Sequence, residues 1–299
     1  MSILITSGQC GNQLGASLNE GLFTELSREP EDAPDLELFF RQSKVNANKY
    51  LARTICIDTE PKVIKDVVGK RGRASQPWGY DPASCAYRYG GAGNNWSVGY
   101  EMCSGEFMEE ILNRIQREME LSDLSPVLTL VHSIAGGTGS GLGTAMTEAI
   151  ADVYSSLTRM NITIAPYHFG EVVVQNYNAV LSFAKVSMAS NGVLVFENEV
   201  AHDLTTNMRG VAQPTMKDLN KTIAANIIPI MIPKIGRNRS GRPKRVHLAD
   251  DIMHLVGDPR YRFLDVRMTP LTYDKSIDFT FDSWPSIMNT LYGLSLIHI

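Results

Sequence analysis

Five short runs of apolar, often β-branched residues recur along this chain, and stretches with helical periodicity separate them. The runs cover residues 2–5, 54–57, 127–131, 162–164 and 193–196. Continuous apolar runs of this length are typical of parallel strands that are buried on both faces. Apolar residues at i, i+3 and i+4 predict helices over 107–119 and 142–157. Because strand and helix alternate, the sequence predicts a doubly wound α/β fold with helices on both faces of a parallel sheet.

The charge balance excludes a strong overall electrostatic field. With 28 Lys+Arg against 32 Asp+Glu, the formal net charge is -4, so we expect neither nucleic acid nor an acidic membrane as a partner. No apolar run approaches the roughly 20 residues of a membrane-spanning helix. The first basic residue, Arg28, comes too late for a signal or transit peptide. We therefore expect a soluble, cytoplasmic protein.

Four cysteines, Cys10, Cys56, Cys85 and Cys103, are far apart in the chain and form no C-x-x-C motif. This spacing suits neither a zinc site nor a disulfide framework, so we predict reduced thiols. Cys10 begins a predicted helix, where a thiolate is favoured. The sequence identifies no base that would make this thiol catalytic. His132 ends a predicted buried strand and is predicted to be a hydrogen-bonded core residue, not a metal ligand.

Ligands of doubly wound sheets bind at the carboxyl ends of the strands, where loops lead into helices. Three such loops are rich in glycine, asparagine and small polar residues: 7–13, 90–96 and 133–141. We expect the functional site to be built from these three loops.

The loop 135–141, Ala-Gly-Gly-Thr-Gly-Ser-Gly, has the composition of a phosphate-binding turn. Glycines let backbone N–H groups approach phosphate oxygens, the following helix contributes its positive end, and Thr138 and Ser140 add hydroxyl donors. No lysine or arginine lies between Arg117 and Arg159, and the glycines do not form G-x-G-x-x-G, which excludes a P-loop lysine and argues against a dinucleotide fingerprint. Backbone dipoles and a bound cation would have to balance the phosphate charge. The alternative is a turn that only packs a helix against the sheet, but four glycines with two hydroxyls favour the nucleotide.

Three motifs, in this order, resemble those of the tubulin family: Gly8-Gln9-Cys10-Gly11-Asn12-Gln13-Leu14-Gly15, Gly91-Ala92-Gly93-Asn94-Asn95-Trp96 and the loop 135–141. The resemblance covers nearly the whole chain. It implies a Rossmann-like GTPase domain over 1–213, a core helix over 214–232 and a partial intermediate domain over 233–299.

The resemblance also implies a binding site for GTP with Mg²⁺. On the phosphate side it comprises Gln9, Cys10, Asn94, Ser133, Gly136, Gly137, Thr138 and Gly139, with Asp58 and Glu60 near the magnesium. Glu171 and Gln175 would lie near the ribose, and Asn198, Met216 and Asn220 near the guanine. A pair of asparagine amides can match both donors and acceptors of a purine edge.

Two departures from the αβ-type tubulins concern this site. Gln175 and Asn176 replace a glutamate and a proline, and Met216 replaces an aromatic ring. A thioether can cover a base face, although less firmly than a ring. The Gln-Asn-Tyr-Asn form at 175–178 is similar to the delta type of tubulin. The resemblance therefore implies a cytoskeletal role in centrioles, basal bodies or axonemes, with other tubulin subunits or microtubules as partners.

The segment 248–256 aligns with the family element that reaches the nucleotide of the neighbouring subunit, and Asp250 occupies its acidic position. A carboxylate there would orient the attacking water. The alternative is that Asp250 and Asp251 only begin a helix, where carboxylates favour the positive end.

The basic stretch 234–245 contains glycine, proline and serine and is predicted to be a solvated loop. It lacks the aromatic residues of a nucleic-acid patch. Because residues 294–299 end the chain on an apolar run unlike the family, we expect an incomplete chain.

The leading prediction is a GTP-binding tubulin-family protein, with assembly-stimulated GTPase activity as an open possibility. The alternatives are a non-polymerising GTP-binding scaffold and, disfavoured by the glycine spacing, an NAD-type enzyme.

Overall fold

The computed structural model describes residues 1–28, 33–71, 76–170, 172–237, 243–269 and 283–296. Its strands are β1 Ser2–Ser7, β2 Phe40–Gln42, β3 Tyr50–Ala52, β4 Thr54–Asp58, β5 Trp78–Gly79, β6 Cys85–Tyr87, β7 Val127–Ser133, β8 Arg159–Ala165, β9 Gly192–Glu197, β10 Lys234–Arg237, β11 Pro243–Val246 and β12 Phe263–Leu264. Its helices are α1 Gly8–Leu26, α2 Ala33–Leu36, α3 Pro61–Arg71, α4 Trp96–Met102, α5 Gly105–Glu120, α6 Gly143–Val153, α7 Gln175–Ala189, α8 Asn198–Asp203, α9 Met216–Met231, α10 Leu248–Leu255 and α11 Trp284–Leu296. A π-helical turn over Thr138–Leu142 leads into α6.

Seven strands form one parallel sheet in the order β12-β9-β8-β7-β1-β4-β6. From β1 the chain first adds β4 and β6 on one side. It then returns to place β7 on the other side of β1 and continues outward to β8, β9 and β12. The strand order therefore reverses between β1 and β7, which is the place where doubly wound sheets open a crevice. The predicted fold is confirmed.

Helices cover both faces of this sheet. On one face, Leu18 of α1 and Ile223 of α9 belong to one apolar cluster with the sheet. On the other face, Ile111 of α5 and Met146 of α6 belong to a second. All four side chains are essentially inaccessible to solvent, and burying each contributes about 1.5–3 kcal/mol.

Helix α9 begins at the edge of the crevice. Thr215 and Asp218 form a capping box at its amino end, in which the backbone N–H of Thr215 donates to Asp218 Oδ2 at 3.0 Å. The cap fixes where the helix starts, and so directs Met216 and Asn220 toward the carboxyl ends of the strands.

The predicted helix 142–157 is too long at its carboxyl end. Helix α6 ends at Val153, because Tyr154 leaves the helical region with φ -116° and ψ 52°. Tyr154 and Leu157 still pack against the α5–α6 cluster. The apolar stripe therefore continues past the helix, because the turn that follows covers the same face.

The predicted basic loop 234–245 is also corrected. Its two ends pair as the antiparallel strands β10 and β11, with Lys234 opposite Val246 and Arg237 opposite Pro243. Residues 238–242 lie outside the described residues. Pro243 is tolerated because it occupies the first position of its strand. The hairpin is solvated, with Ile235 82% exposed.

His132 is a buried core residue, as predicted. Its Nε2 lies 3.0 Å from Asn161 Oδ1, and its Nδ1 has no partner. Because the amide oxygen can only accept, Nε2 carries a hydrogen. Asn161 Nδ2 donates in turn to Ser190 Oγ at 2.6 Å. Burial lowers the pKa of His132 below its usual value of 6.5.

We therefore predict that acid destabilises the protein through His132. Below about pH 6.5 the unfolded chain binds a proton that the folded chain rejects, so the free energy of unfolding falls as the pH falls, by up to about 1.4 kcal/mol per pH unit. Urea denaturation below about pH 6.5 is expected to show that the free energy of unfolding falls less steeply with pH for His132→Gln than for the parent. Equal slopes for the two proteins would contradict the prediction.

Candidate functional site

Three loops, which follow β4, β6 and β7, meet the amino end of α1 and enclose a cavity of about 420 Å³, which we call the loop cavity. The predicted loop 7–13 is instead the last residue of β1 and the start of α1. It is lined by Ser7, Gly8, Gln9, Cys10, Gln13, Asp58, Glu60, Val63, Ala92, Gly93, Asn94, Ser133, Gly136, Gly137, Thr138, Gly139, Met216 and Asn220. Ser7 and Ser133 end β1 and β7, so the cavity opens at the reversal of strand order.

Most of the residues predicted for the site are brought together here: Gln9, Cys10, Asp58, Glu60, Asn94, Ser133, Gly136, Gly137, Thr138, Gly139, Met216 and Asn220. Gln175, Asn198 and Asp250 are described but do not line the cavity, and Glu171 lies outside the described residues. Sequence reasoning missed Ser7, Gly8, Gln13, Val63, Ala92 and Gly93. All but Val63 belong to the glycine-rich loops already identified, so membership of those loops was the available signal.

The glycine loop is packed so closely that its backbone forms the cavity wall. A Cβ at Gly137 would lie 2.6 Å from the backbone nitrogen of Asn95 and 2.7 Å from the carbonyl oxygen of Ala92. A Cβ at Gly136 would instead meet only Asn94 Oδ1, at 3.7 Å. Gly137 is therefore buried between two loops, whereas Gly136 faces open space. Such a turn offers backbone N–H groups to an anion.

The hydroxyls of the glycine loop are used inside the protein. Ser140 Oγ donates to the carbonyl of Gly136, and Thr138 Oγ1 lies 2.5 Å from Thr59 Oγ1. This last contact joins the glycine loop to the loop after β4. Thr138 and Ser140 thus hold the loop in shape, and backbone groups remain as the donors that face the cavity.

Two carboxylates, Asp58 and Glu60, also line the cavity. Asp58 is 3% exposed, and its oxygens accept from the backbone N–H of Glu60 at 3.2 Å and from Asn12 Nδ2 at 3.4 Å. Burial raises the pKa of Asp58 to about 6. The described residues that line the cavity include no lysine, arginine or histidine. The polar wall therefore favours a bound cation.

This donor set fits Mg²⁺ bound together with phosphate. Mg²⁺ in phosphate sites usually takes one or two carboxylates and completes its shell with phosphate oxygens and water. Asp58 and Glu60 supply such a pair. Across the described ranges, no group of three or more His, Cys, Asp or Glu side chains suits a metal, so the protein alone does not build a complete cage.

Asn178 on α7 joins two of the loops. Its Nδ2 donates to the carbonyls of Asn94 at 2.9 Å and Ala135 at 2.7 Å, and its Oδ1 accepts from the backbone N–H of Trp96 at 3.1 Å. Asn178 is 3% exposed. Asn94 itself adopts a left-handed backbone with φ 54°, a conformation that asparagine tolerates better than most residues. The buried amide therefore fixes the loop conformation.

At the far end of the cavity, Asn220 is buried and Met216 is 49% exposed. Asn198, the other residue predicted to contact the base, begins α8, and its Oδ1 is buried without a partner. Gln175 does not line the cavity, and its Nε2 donates to the carbonyl of Tyr167 at 2.9 Å.

The expected thiolate at Cys10 is wrong. Burial raises the pKa of the Cys10 thiol to about 12, so desolvation outweighs the positive end of α1. Cys10 therefore contributes a neutral, compact surface to the cavity. All four cysteines are free thiols, as predicted.

Asp250 begins α10, as one of its two interpretations predicted. Its Oδ2 accepts from the backbone N–H of His247 at 3.0 Å in a capping box. Asp250 is half-buried and is not part of this chain's own cavity.

We predict that Asn178→Ala destabilises the protein by about 1–3 kcal/mol, because buried loop backbone groups lose their partner. The matched control is Asn176→Ala, since Asn176 is exposed on the same helix and such changes stay within about 0.5 kcal/mol. Urea denaturation measures both. Equal stability of the two variants would show that the Asn178 contacts do not hold the loops.

The comparisons with known proteins agree with this geometry. Residues 2–206 match the family model described as Tubulin/FtsZ family, GTPase domain. Curated proteins named tubulin delta chain are similar over 97% of this chain, with 32% identity for that of Canis lupus familiaris, 32% for Homo sapiens and 33% for Mus musculus.

The matches cover 65% of the canine relative and 66% of the human and mouse relatives, so the chain spans about two thirds of their length. Within the described ranges, no helix is both long enough and apolar enough to cross a membrane. The family match agrees with the seven-stranded parallel sheet and with the three loops that meet where its strand order reverses. The chain therefore belongs to the Tubulin/FtsZ family and is similar to the delta type of tubulin.

Proposed function

We propose that the chain binds a guanine nucleotide with Mg²⁺ in the loop cavity and acts as a delta-type tubulin in the microtubule cytoskeleton. The observation that carries this proposal is the convergence of the three loops on one cavity, which is lined by glycine backbone, by the carboxylates of Asp58 and Glu60 and by the buried amide of Asn220.

The phosphates would lie against the backbone of Gly136–Gly139. The amino end of α1 and the turn before α6 point toward the same space, and their N–H dipoles favour negative charge. Because no cationic side chain is among the described lining residues, the remaining charge would be balanced by Mg²⁺ on Asp58 and Glu60. Mg²⁺ supplies charge neutralisation of the phosphates and polarises them for transfer.

The base would lie toward Met216 and Asn220. Met216 supplies an exposed thioether surface, and the buried Asn220 amide supplies a donor and an acceptor. Asn198 directly follows β9, and its buried Oδ1 has no hydrogen-bond partner. A hydrogen-bond donor of guanine would satisfy this acceptor. Glu171 and Gln175 are proposed to lie near the ribose. To contact it, Gln175 would have to break its hydrogen bond to the carbonyl of Tyr167.

We predict that guanine nucleotide is extracted from the purified parent protein and not from Gly136→Asp. The open space at Gly136 accepts an aspartate side chain, whose carboxylate would repel the phosphates. The control is Gly257→Asp, because a Cβ at Gly257 meets nothing within 4 Å. Chromatography of the released nucleotide gives the result, and circular dichroism shows that all three proteins are folded.

Guanine nucleotide retained by Gly136→Asp would contradict the placement of the phosphates. Recovery of NAD from the parent would support the dinucleotide enzyme in place of a tubulin function.

Hydrolysis is proposed to need a second subunit, with Asp250 orienting water on its neighbour's nucleotide. The position of Asp250 outside its own loop cavity supports an action in trans. In an assembly assay with tubulin, we expect Asp250→Asn to lower assembly-dependent GTP turnover by about a hundredfold. The amide still offers an acceptor to the His247 N–H, so α10 keeps its cap.

The control for hydrolysis is Asp251→Asn. Asp251 lies on the same helix as Asp250 but pairs with Lys234 of β10, at 2.9 Å. Turnover unchanged in Asp250→Asn would remove the catalytic role. If the parent itself does not co-sediment with tubulin polymers under any nucleotide, the non-polymerising scaffold is favoured. A place in centrioles, basal bodies or cilia is proposed only from the similarity to delta tubulins.

A further inference from the structure

Cys56 and Cys85 are neighbours on adjacent strands at one edge of the sheet, where β6 is the edge strand and β4 the next strand in. Strands β4 and β6 are parallel, and the register pairs Cys56 directly with Cys85. Cys56 belongs to the apolar cluster on the α1 face and Cys85 packs against that cluster, so the two side chains lie on the same face of the sheet. The Cα spacing of paired strands lies within the range that a disulfide can bridge.

The two thiols differ in exposure. Cys56 is 2% exposed, whereas Cys85 is partly exposed at the edge of the sheet. The Cys85 Sγ donates to the carbonyl of Asp81 at 3.8 Å. The neighbouring Cys56 thiol and the charge of Arg114 lower the pKa of Cys85. Cys85 is therefore the thiol that an oxidant meets first.

We propose that Cys56 and Cys85 form a reversible redox site that closes to a disulfide when a peroxide reaches Cys85. The Cys85 thiolate attacks a peroxide oxygen, the O–O bond breaks, and protonation yields a sulfenic acid and water. The Cys56 sulfur then attacks the sulfenic sulfur and forms the S–S bond. The leaving hydroxide takes the proton of Cys56 as a second water. In sum, the two thiols lose two electrons and the peroxide gains them.

This site goes beyond the proposed nucleotide function, because neither sulfur lines the loop cavity. It is nevertheless connected to that cavity. Cys56 lies on β4 two residues before Asp58, and Asp58 lines the cavity.

The test treats the reduced, folded full chain with hydrogen peroxide and blocks the remaining thiols with N-ethylmaleimide. Mass spectrometry after digestion without reductant is expected to show the peptides of Cys56 and Cys85 joined, with the loss of two alkylatable thiols, both restored by dithiothreitol. In Cys56→Ser, the Cys85 sulfenic acid is expected to persist and to be trapped by dimedone. Cys103→Ser is the control, since Cys103 lies in the other apolar cluster and its loss is expected to leave the linkage intact.

Three results would overturn the proposal. Full alkylation of both Cys56 and Cys85 after peroxide and unfolding would show that neither thiol reacts. Cys85 oxidised to a sulfinic acid beside a free Cys56 thiol would show that the pair does not close. A disulfide from Cys85 to Cys10, or to a second copy of the chain, would assign the reactivity to other thiols. These results come from the parent protein, so they do not depend on the folding of a variant or on bound nucleotide.

Discussion

The structure depends on a backbone crossing that leaves no room for side chains. A Cβ at Gly99 would lie 2.2 Å from the carbonyl oxygen of Gly137, and a Cβ at Gly141 would lie 2.1 Å from that of Trp96. Helix α4 and the turn before α6 therefore cross in close contact, with Gly99 on the helix and Gly141 in the turn at the crossing. Because α4 follows the Asn94 loop and the turn carries the glycine loop, this crossing sets the distance between two walls of the cavity. A larger residue at either position would separate the walls.

The electrostatics of the cavity follow from the glycines, because backbone groups and not cationic side chains line it. Amide dipoles of the glycine loop provide partial positive charge, and Asp58 and Glu60 provide negative charge in the same cavity. A nucleotide without a cation would bring its phosphates close to two carboxylates. In the proposed complex, Mg²⁺ would offset this repulsion. Burial raises the pKa of Asp58, so the folded protein holds the ionised carboxylate at some cost in stability, as functional sites often do.

Much of the fold and the phosphate side of the site follows from the sequence because both depend on local pattern. Continuous apolar runs specify buried strands, and glycines at strand ends specify tight loops. Other features depend on distances that no local pattern encodes. The end of α6 at Val153 and the pairing of β10 with β11 are set by tertiary packing. The acidity of Cys10 is set by how deeply α1 is buried. Asn178 was part of a recognised motif, but its bridging role appears only when the loops are in place.

Hydrogen bonds connect the loops around the cavity into one network. Asn12, near the start of α1, donates to the carbonyl of Ile57 at 2.9 Å and so holds the end of β4. Thr59, after β4, contacts Thr138 in the glycine loop, and Asn178 joins the glycine loop to the Asn94 loop. A ligand that enters such a site does not have to order its loops, which lowers the entropic cost of binding. The members are buried, so the loss of one leaves its partners unsatisfied and weakens the others. Ser7 Oγ, at the end of β1 in the cavity wall, remains buried without a partner, and it is a polar atom that this network leaves for a ligand to satisfy.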